Sequence, residues 1–369
     1  MAIEGPVAVA IIARKPEAVL GTAAFNVLMA MAIWLESPVI DLLSTSTALA
    51  RGRKAWQTLS RFTLLTMVWV TFAHGFVALP PVFRFVTGTI MGLDPAVADA
   101  VWLPFALMVP WSAMVGWRRS RQGLMIREGE TRLIGIGTLI RVTTVCAVGA
   151  LLMKTTTLGG ITIAGIALLA SVTAEAIFMH VVSQRVVRRY ALQPDDDHEP
   201  SLSLRQVLKF HLPLTGSTMV TLTALPVVSA ALSRAPDAVL AMAAWQVAFT
   251  VQWVFRTVTF AIPEVVISFM KSAHEDAGLR RFATLIGVLL SFAMLGFALS
   301  GLDRLVFVHV LGAGPELLDL AHVALLLCSP LPAINALMAY ARGVLTARHR
   351  TGSRLTAISV ATSVLVVVL

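Results

Sequence analysis

The chain has 369 residues, of which 57% are hydrophobic and only 13% are charged, and its formal net charge is +9. Soluble domains usually contain about 25% charged residues. The composition therefore excludes a soluble globular enzyme, a disordered chain and a disulfide-stapled secreted domain, and it predicts an all-α integral membrane protein. The two cysteines, Cys146 and Cys328, lie in separate apolar stretches and offer no metal-binding spacing, so we expect no metal site.

Apolar runs of membrane length recur along the chain and predict about eleven helical spans. These runs are too long for membrane-spanning strands and lack the alternation of polar and apolar residues that such strands require. In chain order, the predicted spans cover 1–13, 22–49, 60–81, 98–117, 133–153, 158–182, 207–233, 239–269, 281–301, 317–340 and 355–369.

The lysines and arginines predict how the chain is oriented. One set of alternate loops holds 21 of the 29 basic residues and the other set holds 6. Because basic loops remain in the cytoplasm, we expect a multi-pass plasma (inner) membrane protein with its N-terminus and basic loops cytoplasmic. The net charge then reflects membrane topology, so the expected partners are the lipid bilayer and a small molecule, with no nucleic acid, and we expect a monomer.

A long internal repeat divides the chain into two parts. Residues 5–27 and 225–247 align at a constant offset of 220, with 11 of 23 positions identical. The repeat predicts a 12-helix plan of two parallel six-helix lobes: residues 1–190, a polar cytoplasmic linker at 191–205, and residues 206–369. On this plan we expect the chain to be truncated at both ends, with helices 1 and 11 shortened and helix 12 missing.

This order of features resembles the MATE-like (MOP) exporter and flippase superfamily. The shared features are two six-helix lobes, a proline in helices 1 and 7, and a basic loop after helices 2 and 8. Within the superfamily, LKFHLPL at 208–214 and the segment at 226–247 are similar to the start of the second lobe in the progressive ankylosis protein group. The resemblance implies alternating access between two lobes and leaves the substrate open among drugs, lipid-linked sugars and small anions.

The sequence therefore predicts a secondary active transporter that exports a small anionic or amphiphilic solute. It has no phosphate-binding loop and no catalytic motif, so we expect no enzyme activity and no cofactor beyond a coupling proton or sodium ion. Two alternatives remain open: a flippase for lipid-linked oligosaccharide or polysaccharide, and a membrane scaffold that has kept the fold without transport.

Ionisable groups at membrane depth are candidate functional residues because burying them is costly. Glu36 and Arg256 lie one repeat apart on helices 2 and 8, which in the family plan line the central cavity. They are predicted to pair across the cleft in one state, or else each has a local partner within its lobe. Gln252 lies one turn before Arg256, and Glu264 follows it on the same helical face, so both are candidates for the cavity wall.

Further candidates lie on helices 1, 2 and 8. Glu4 stands beside Pro6, whose missing N–H favours a bend with freed carbonyls, and this predicts a proton or sodium site; the alternative is a solvated carboxylate. Asn26 and Gln246 are equivalent across the repeat and either bind substrate or bridge helices. Asp41 lies five residues after Glu36, only loosely on the same face.

Arg141 and Glu175 form the remaining candidate pair. They lie on the predicted helices 5 and 6 of one lobe. We interpret them as a structural ion pair that fixes the packing of that lobe.

Overall fold

The computed structural model of the protein describes residues 4–192, 202–270 and 273–347, together with positions 356, 358 and 359. All regular elements in these ranges are helices, which confirms the predicted all-α class. Helices are expected here because a segment in lipid must satisfy its backbone hydrogen bonds internally. Large apolar side chains such as Val68, Phe72 and Phe292 remain about 70% exposed, as the surface of a membrane protein requires.

The first lobe contains ten α-helices and one π-helical turn. Their bounds, in chain order, are α1 Glu4–Ala13, α2 Ala18–Leu35, α3 Ser37–Ile40, α4 Leu42–Leu49, α5 Arg53–Ala78, α6 Pro80–Arg84, the π-turn Phe85–Ile90, α7 Pro95–Leu107, α8 Trp111–Arg127, α9 Arg132–Thr155 and α10 Gly160–Leu192. Within this lobe, α10 packs against α1, α8 and α9, and α8 packs against α4 and α5.

The second lobe repeats this order as far as the structure describes it. Its bounds are α11 Leu204–Leu222, α12 Ala224–Leu232, α13 Ala238–Thr257, the 3-10 turn Val258–Ala261, α14 Ile262–Phe269, α15 Ala273–Leu299, α16 Leu302–Leu305, the π-turn Val306–Leu311, α17 Pro315–Leu327 and α18 Leu331–Ala347. The helix pair α7 and α8 is bent by 49°, and its repeat equivalent, α17 and α18, is bent by 43°.

Seven helices in the described residues are long and apolar enough to cross a membrane, and the two bent pairs raise this to nine spans. The protein is therefore a multi-pass membrane protein. Of the eleven predicted spans, 1–13 corresponds to α1, which is too short to cross alone. The span predicted at 355–369 lies outside the described residues except for three positions.

Several predicted helix bounds were wrong. The segments 22–49 and 239–269 are broken, the first at Glu36 and Asp41 and the second by the 3-10 turn. Pro38 follows the break at Glu36 and Pro263 follows the 3-10 turn, and proline removes the backbone donor that a continuous helix needs. Hydropathy also underestimated the length of the helices near the linker, because α10 continues to Leu192 and α11 starts at Leu204.

Equivalent glycines let one helix of each lobe pack closely on its neighbour. A Cβ at Gly123 of α8 would lie 2.3 Å from the Leu43 carbonyl oxygen of α4. A Cβ at Gly343 of α18 would lie 2.7 Å from Cβ of Val266 in α14. Both distances are shorter than packed atoms allow, so only glycine permits this approach.

We expect Gly123→Ala to destabilise the protein, because the added methyl group must push α8 away from the α4 backbone. Overpacking of this kind costs about 1–3 kcal/mol. The matched control is Gly135→Ala in α9, where a Cβ meets nothing within 4 Å. Thermal unfolding of the two purified variants in detergent measures the effect, and equal midpoints for both variants would contradict the packing assignment.

Candidate functional site

The lobes meet mainly along α2 and α13, which are equivalent helices of the repeat. Two hydrogen bonds cross between the lobes near this contact. Asn26 Nδ2 donates to Ser229 Oγ at 3.0 Å, and Trp34 Nε1 donates to Thr223 Oγ1 at 3.1 Å. Asn26 thus bridges helices, whereas its equivalent Gln246 donates to Thr250 Oγ1 on its own helix at 3.0 Å.

A cavity runs between the lobes on both sides of this contact. Its two adjoining chambers share the side chains of Met29, Ile33, Gln246 and Phe249. The smaller chamber has a volume of about 50 Å³ and is lined by Glu4 of the first lobe. The larger chamber has a volume of about 240 Å³ and is lined by Asn26, Gln246, Gln252 and Arg256. Four of the predicted polar residues therefore line the larger chamber, and Glu4 lines the smaller one.

The smaller chamber, which Glu4 lines, borders a buried charge cluster. Glu4 is 2% exposed, and its Oε1 lies 3.1 Å from Arg141 Nε. Ser171 Oγ donates to the same carboxylate oxygen at 3.0 Å. Because Glu4 is buried and paired, the alternative interpretation of a solvated carboxylate is wrong.

Glu175 completes the cluster inside the first lobe. It is 0% exposed, and its Oε2 lies 2.9 Å from Arg118 Nη1 and 3.4 Å from Arg141 Nη1. Gln122 Nε2 donates to its Oε1 at 3.0 Å. The cluster brings two acids and two arginines together, and it joins α1, α8, α9 and α10.

The larger chamber is lined by Arg256, a cation that has no carboxylate partner among the described residues. Arg256 Nη2 donates to Asn335 Oδ1 at 3.0 Å, and its guanidinium lies 5.4 Å from the Trp253 ring centroid. Within the part of the chain that the structure describes, Arg256 has no carboxylate partner and its buried Nε has no hydrogen bond. Gln252 is 1% exposed, and neither of its amide atoms has a hydrogen-bond partner there.

The predicted pairing of Glu36 with Arg256 is absent from this conformation. Glu36 Oε2 instead accepts a hydrogen bond from Trp111 Nε1 at 2.6 Å, within its own lobe. Each residue thus has the local partner that the alternative interpretation expected. The side chain of Glu264 lies outside the described residues, so its predicted position on the cavity wall cannot be compared.

Asp41 does not line the described chambers but sits near a contact between the lobes. His211 of α11 lies 2.8 Å from Thr45 Oγ1 through Nδ1, and 2.8 Å from the Pro38 carbonyl oxygen through Nε2. Asp41 Oδ2 is buried without a hydrogen bond in the same region. The Pro38 carbonyl, which the break at Asp41 leaves available, is therefore used to hold α11 against the first lobe.

Two reciprocal contacts join the lobes at the end that carries the turns after α1 and α12, here called the turn end. Ser233 Oγ donates to the Met91 carbonyl at 2.8 Å, beside Gly92, which has φ 67°. At the repeat-equivalent place, a Cβ on Gly312 would lie 3.2 Å from Ala13 Cβ. Each lobe thus presses its turn against a left-handed glycine of the other lobe.

No protein-family model and no curated protein matches this sequence. The structure, however, is similar to an inward-facing multidrug resistance MATE family transporter of the MOP superfamily, with a TM-score of 0.65, 13% identity, and coverage of 99% of this chain and 85% of that chain. It is also similar to the eukaryotic MATE transporter AtDTX14, with a TM-score of 0.63, 13% identity, and coverage of 95% and 82%.

An outward-facing multidrug resistance MATE family transporter gives a TM-score of 0.61 at 12% identity, with coverage of 97% of this chain and 84% of that chain. At identities this low, the structural similarity establishes the fold alone. The chain therefore has the MATE transporter fold, as the sequence resemblance predicted.

We expect Glu175→Gln to destabilise the protein strongly, because it leaves Arg118 and Arg141 buried without their shared anion. Breaking a buried pair from one side costs about 3–5 kcal/mol. Thermal unfolding in detergent measures the loss. A double variant with Glu175→Leu and Arg118→Leu removes one charge of each sign and should recover part of the stability.

The matched control for this measurement is Asp319→Asn. Asp319 pairs with Arg304 at 2.8 Å, but its side chain is 85% exposed. Exposed pairs contribute about 0–1 kcal/mol, so this variant should unfold almost as the unmodified protein does. A Glu175→Gln variant as stable as Asp319→Asn would contradict the assignment of a desolvated cluster.

Proposed function

We propose that the protein is a secondary active transporter that moves a small solute across the plasma membrane as a monomer by alternating access between its two lobes. The observation that carries this proposal is the cavity between equivalent helices of two repeated lobes, with Gln246, Gln252 and Arg256 in its mainly apolar wall, in a fold shared with MATE transporters. Transporters built from repeats commonly bind substrate at the repeat interface near the bilayer midplane. The cavity lies at that interface.

The conformation is consistent with one end of such a cycle. The turn end is closed by the Ser233 hydrogen bond and by the contact of Ala13 with Gly312. The basic loops lie at the opposite end of the helices, and the positive-inside rule assigns that end to the cytoplasm. We assign the structure to a state closed toward the outside.

The charge of the cavity favours an anionic or amphiphilic solute. Glu4 already has Arg141 and Ser171 as partners, whereas Arg256 has no acidic partner among the described residues. A bound anion would supply the missing counter-charge. A cavity of about 240 Å³ is small for the bulky head of a lipid-linked oligosaccharide, so the flippase alternative has less support.

The cluster around Glu4 is the proposed coupling site. A proton or sodium ion that bound Glu4 would weaken its attraction to Arg141, and both residues join helices that must move together in a rocking lobe. The ion therefore has a direct way to change the packing of α1 against α9.

Cross-linking the turn end tests alternating access. In a chain with Cys146→Ser and Cys328→Ser, the pair Ala13→Cys and Gly312→Cys should form a disulfide, because the Cβ separation of about 3.2 Å is close to the usual range. Proteoliposomes are assayed with radiolabelled benzoate, succinate and tetraethylammonium. We expect at least one probe to move, oxidation to stop its movement, and reduction to restore it.

Single-cysteine variants treated in the same way are the controls, and their transport should not change on oxidation. If none of the three probes moved, or if cross-linked protein transported as fast as reduced protein, alternating access would be ruled out and the scaffold alternative would stand.

Glu4→Gln tests the coupling site in the same vesicles. We expect the variant to lose the stimulation that an imposed pH or sodium gradient gives, while downhill movement of the probe persists, because the substitution removes the ion-binding carboxylate. Separate measurements with a pH gradient and with a sodium gradient identify the coupling ion. Asp319→Asn serves as the control, and retained gradient stimulation in Glu4→Gln would place coupling elsewhere.

A further inference from the structure

One face of α13 combines aromatic rings with unsatisfied polar groups. Trp245, Phe249, Gln252 and Arg256 recur every three or four residues and all line the larger chamber. The ring centroids of Trp245 and Phe249 are 5.9 Å apart, and those of Phe249 and Trp253 are 5.2 Å apart. The face therefore presents an aromatic wall that leads to a guanidinium.

The polar end of this face lacks partners that a folded protein normally provides. The amide of Gln252 is 1% exposed and has no hydrogen bond in the described residues, although a buried polar group left in this way costs free energy. Arg256 lies one helical turn further and has only an amide oxygen, that of Asn335, as acceptor. Both residues line the chamber, and each has an N–H group without an acceptor among the described residues.

A carboxylate fits these donors better than other small anionic groups of the same charge. Its two oxygens lie in one plane, so one edge can accept two parallel bonds from a guanidinium, and it can still accept from the Gln252 amide. Among the residues that the structure describes, none that lines the larger chamber is acidic. A ligand carboxylate would therefore meet no repulsion from the walls that the structure describes.

The rest of the ligand is constrained by the wall and the volume. Aromatic rings stack favourably at the centroid distances found between neighbouring side chains here. The volume of about 240 Å³ lies below the roughly 300–1,000 Å³ typical of sites for drug-sized ligands. One or two fused rings are therefore the appropriate size.

We propose that the larger chamber binds small aromatic carboxylates, with the carboxylate on Arg256 and Gln252 and the ring against Phe249 and its neighbours. This inference rests on the proposed function for its meaning as a substrate site, but binding itself does not require transport. It narrows the substrate class from anionic or amphiphilic solutes in general to planar aromatic acids.

Equilibrium binding of tritiated 2-naphthoate to the purified full chain in detergent tests the proposal. We expect saturable binding, competition by benzoate, and no competition by 2-naphthamide or by a naphthyl quaternary ammonium ion. Arg256→Gln should weaken binding about 10- to 100-fold, because a hydrogen bond to a charged group is lost. Gln252→Leu should weaken it less, by about 5- to 10-fold.

Two further variants separate binding from folding. Arg256→Lys keeps the charge but loses the planar pair of donors, so its affinity should lie between those of the unmodified protein and Arg256→Gln. Arg304→Gln removes an exposed arginine outside the cavity and should bind normally. Equal binding of naphthoate and naphthamide, or an unchanged dissociation constant in Arg256→Gln, would overturn the proposal.

The outcomes also separate this inference from the proposed function. Gradient-dependent movement of succinate or tetraethylammonium without naphthoate binding would retain the transporter and reject the aromatic acid site. Naphthoate binding that depends on Arg256, without movement of any probe across the membrane, would retain the site and reject the transporter.

Discussion

Burying a carboxylate is costly unless cations and hydrogen-bond donors take the place of water, and both oxygens of Glu175 have such partners. Its two oxygens meet Arg118, Arg141 and Gln122 while no part of the residue is exposed. Because Arg141 also contacts Glu4, the compensation extends to the helix that borders the cavity. The first lobe is therefore held as one body by electrostatics as well as by apolar packing.

The second lobe copies the helices of the first but not its charges. The repeat equivalents of Glu4 and Arg118 are Ala224 and Met338, so the same cluster cannot form at these positions. Arg256, a partly buried cation of the second lobe, occupies the place equivalent to Glu36. Duplication has thus kept the backbone plan while separating two tasks: one lobe carries a cluster of paired charges, and the other carries a cation with capacity for a further partner.

Sequence patterns predicted the helical class, the repeat and most of the helices, because span length and hydropathy are properties of a local segment. They also placed Gln252 and Arg256 together, since both lie on one helix with regular geometry. The hydrogen bond between Glu36 and Trp111 and the roles of Arg118 and Ser171 were missed. Those contacts join helices far apart in the chain, and a single sequence gives no signal for which distant residues meet.

The reciprocal arrangement of the two turn-end contacts has a consequence for ion leakage. Because each lobe supplies one turn and one left-handed glycine, the two contacts are related by the repeat and join the lobes at two separate places. If only one contact loosened during thermal motion, the other would still hold the lobes together. A continuous water path would then require both contacts to break at once. The probability of that event is roughly the product of the two separate opening probabilities. The barrier to small ions is therefore higher than either contact could provide alone.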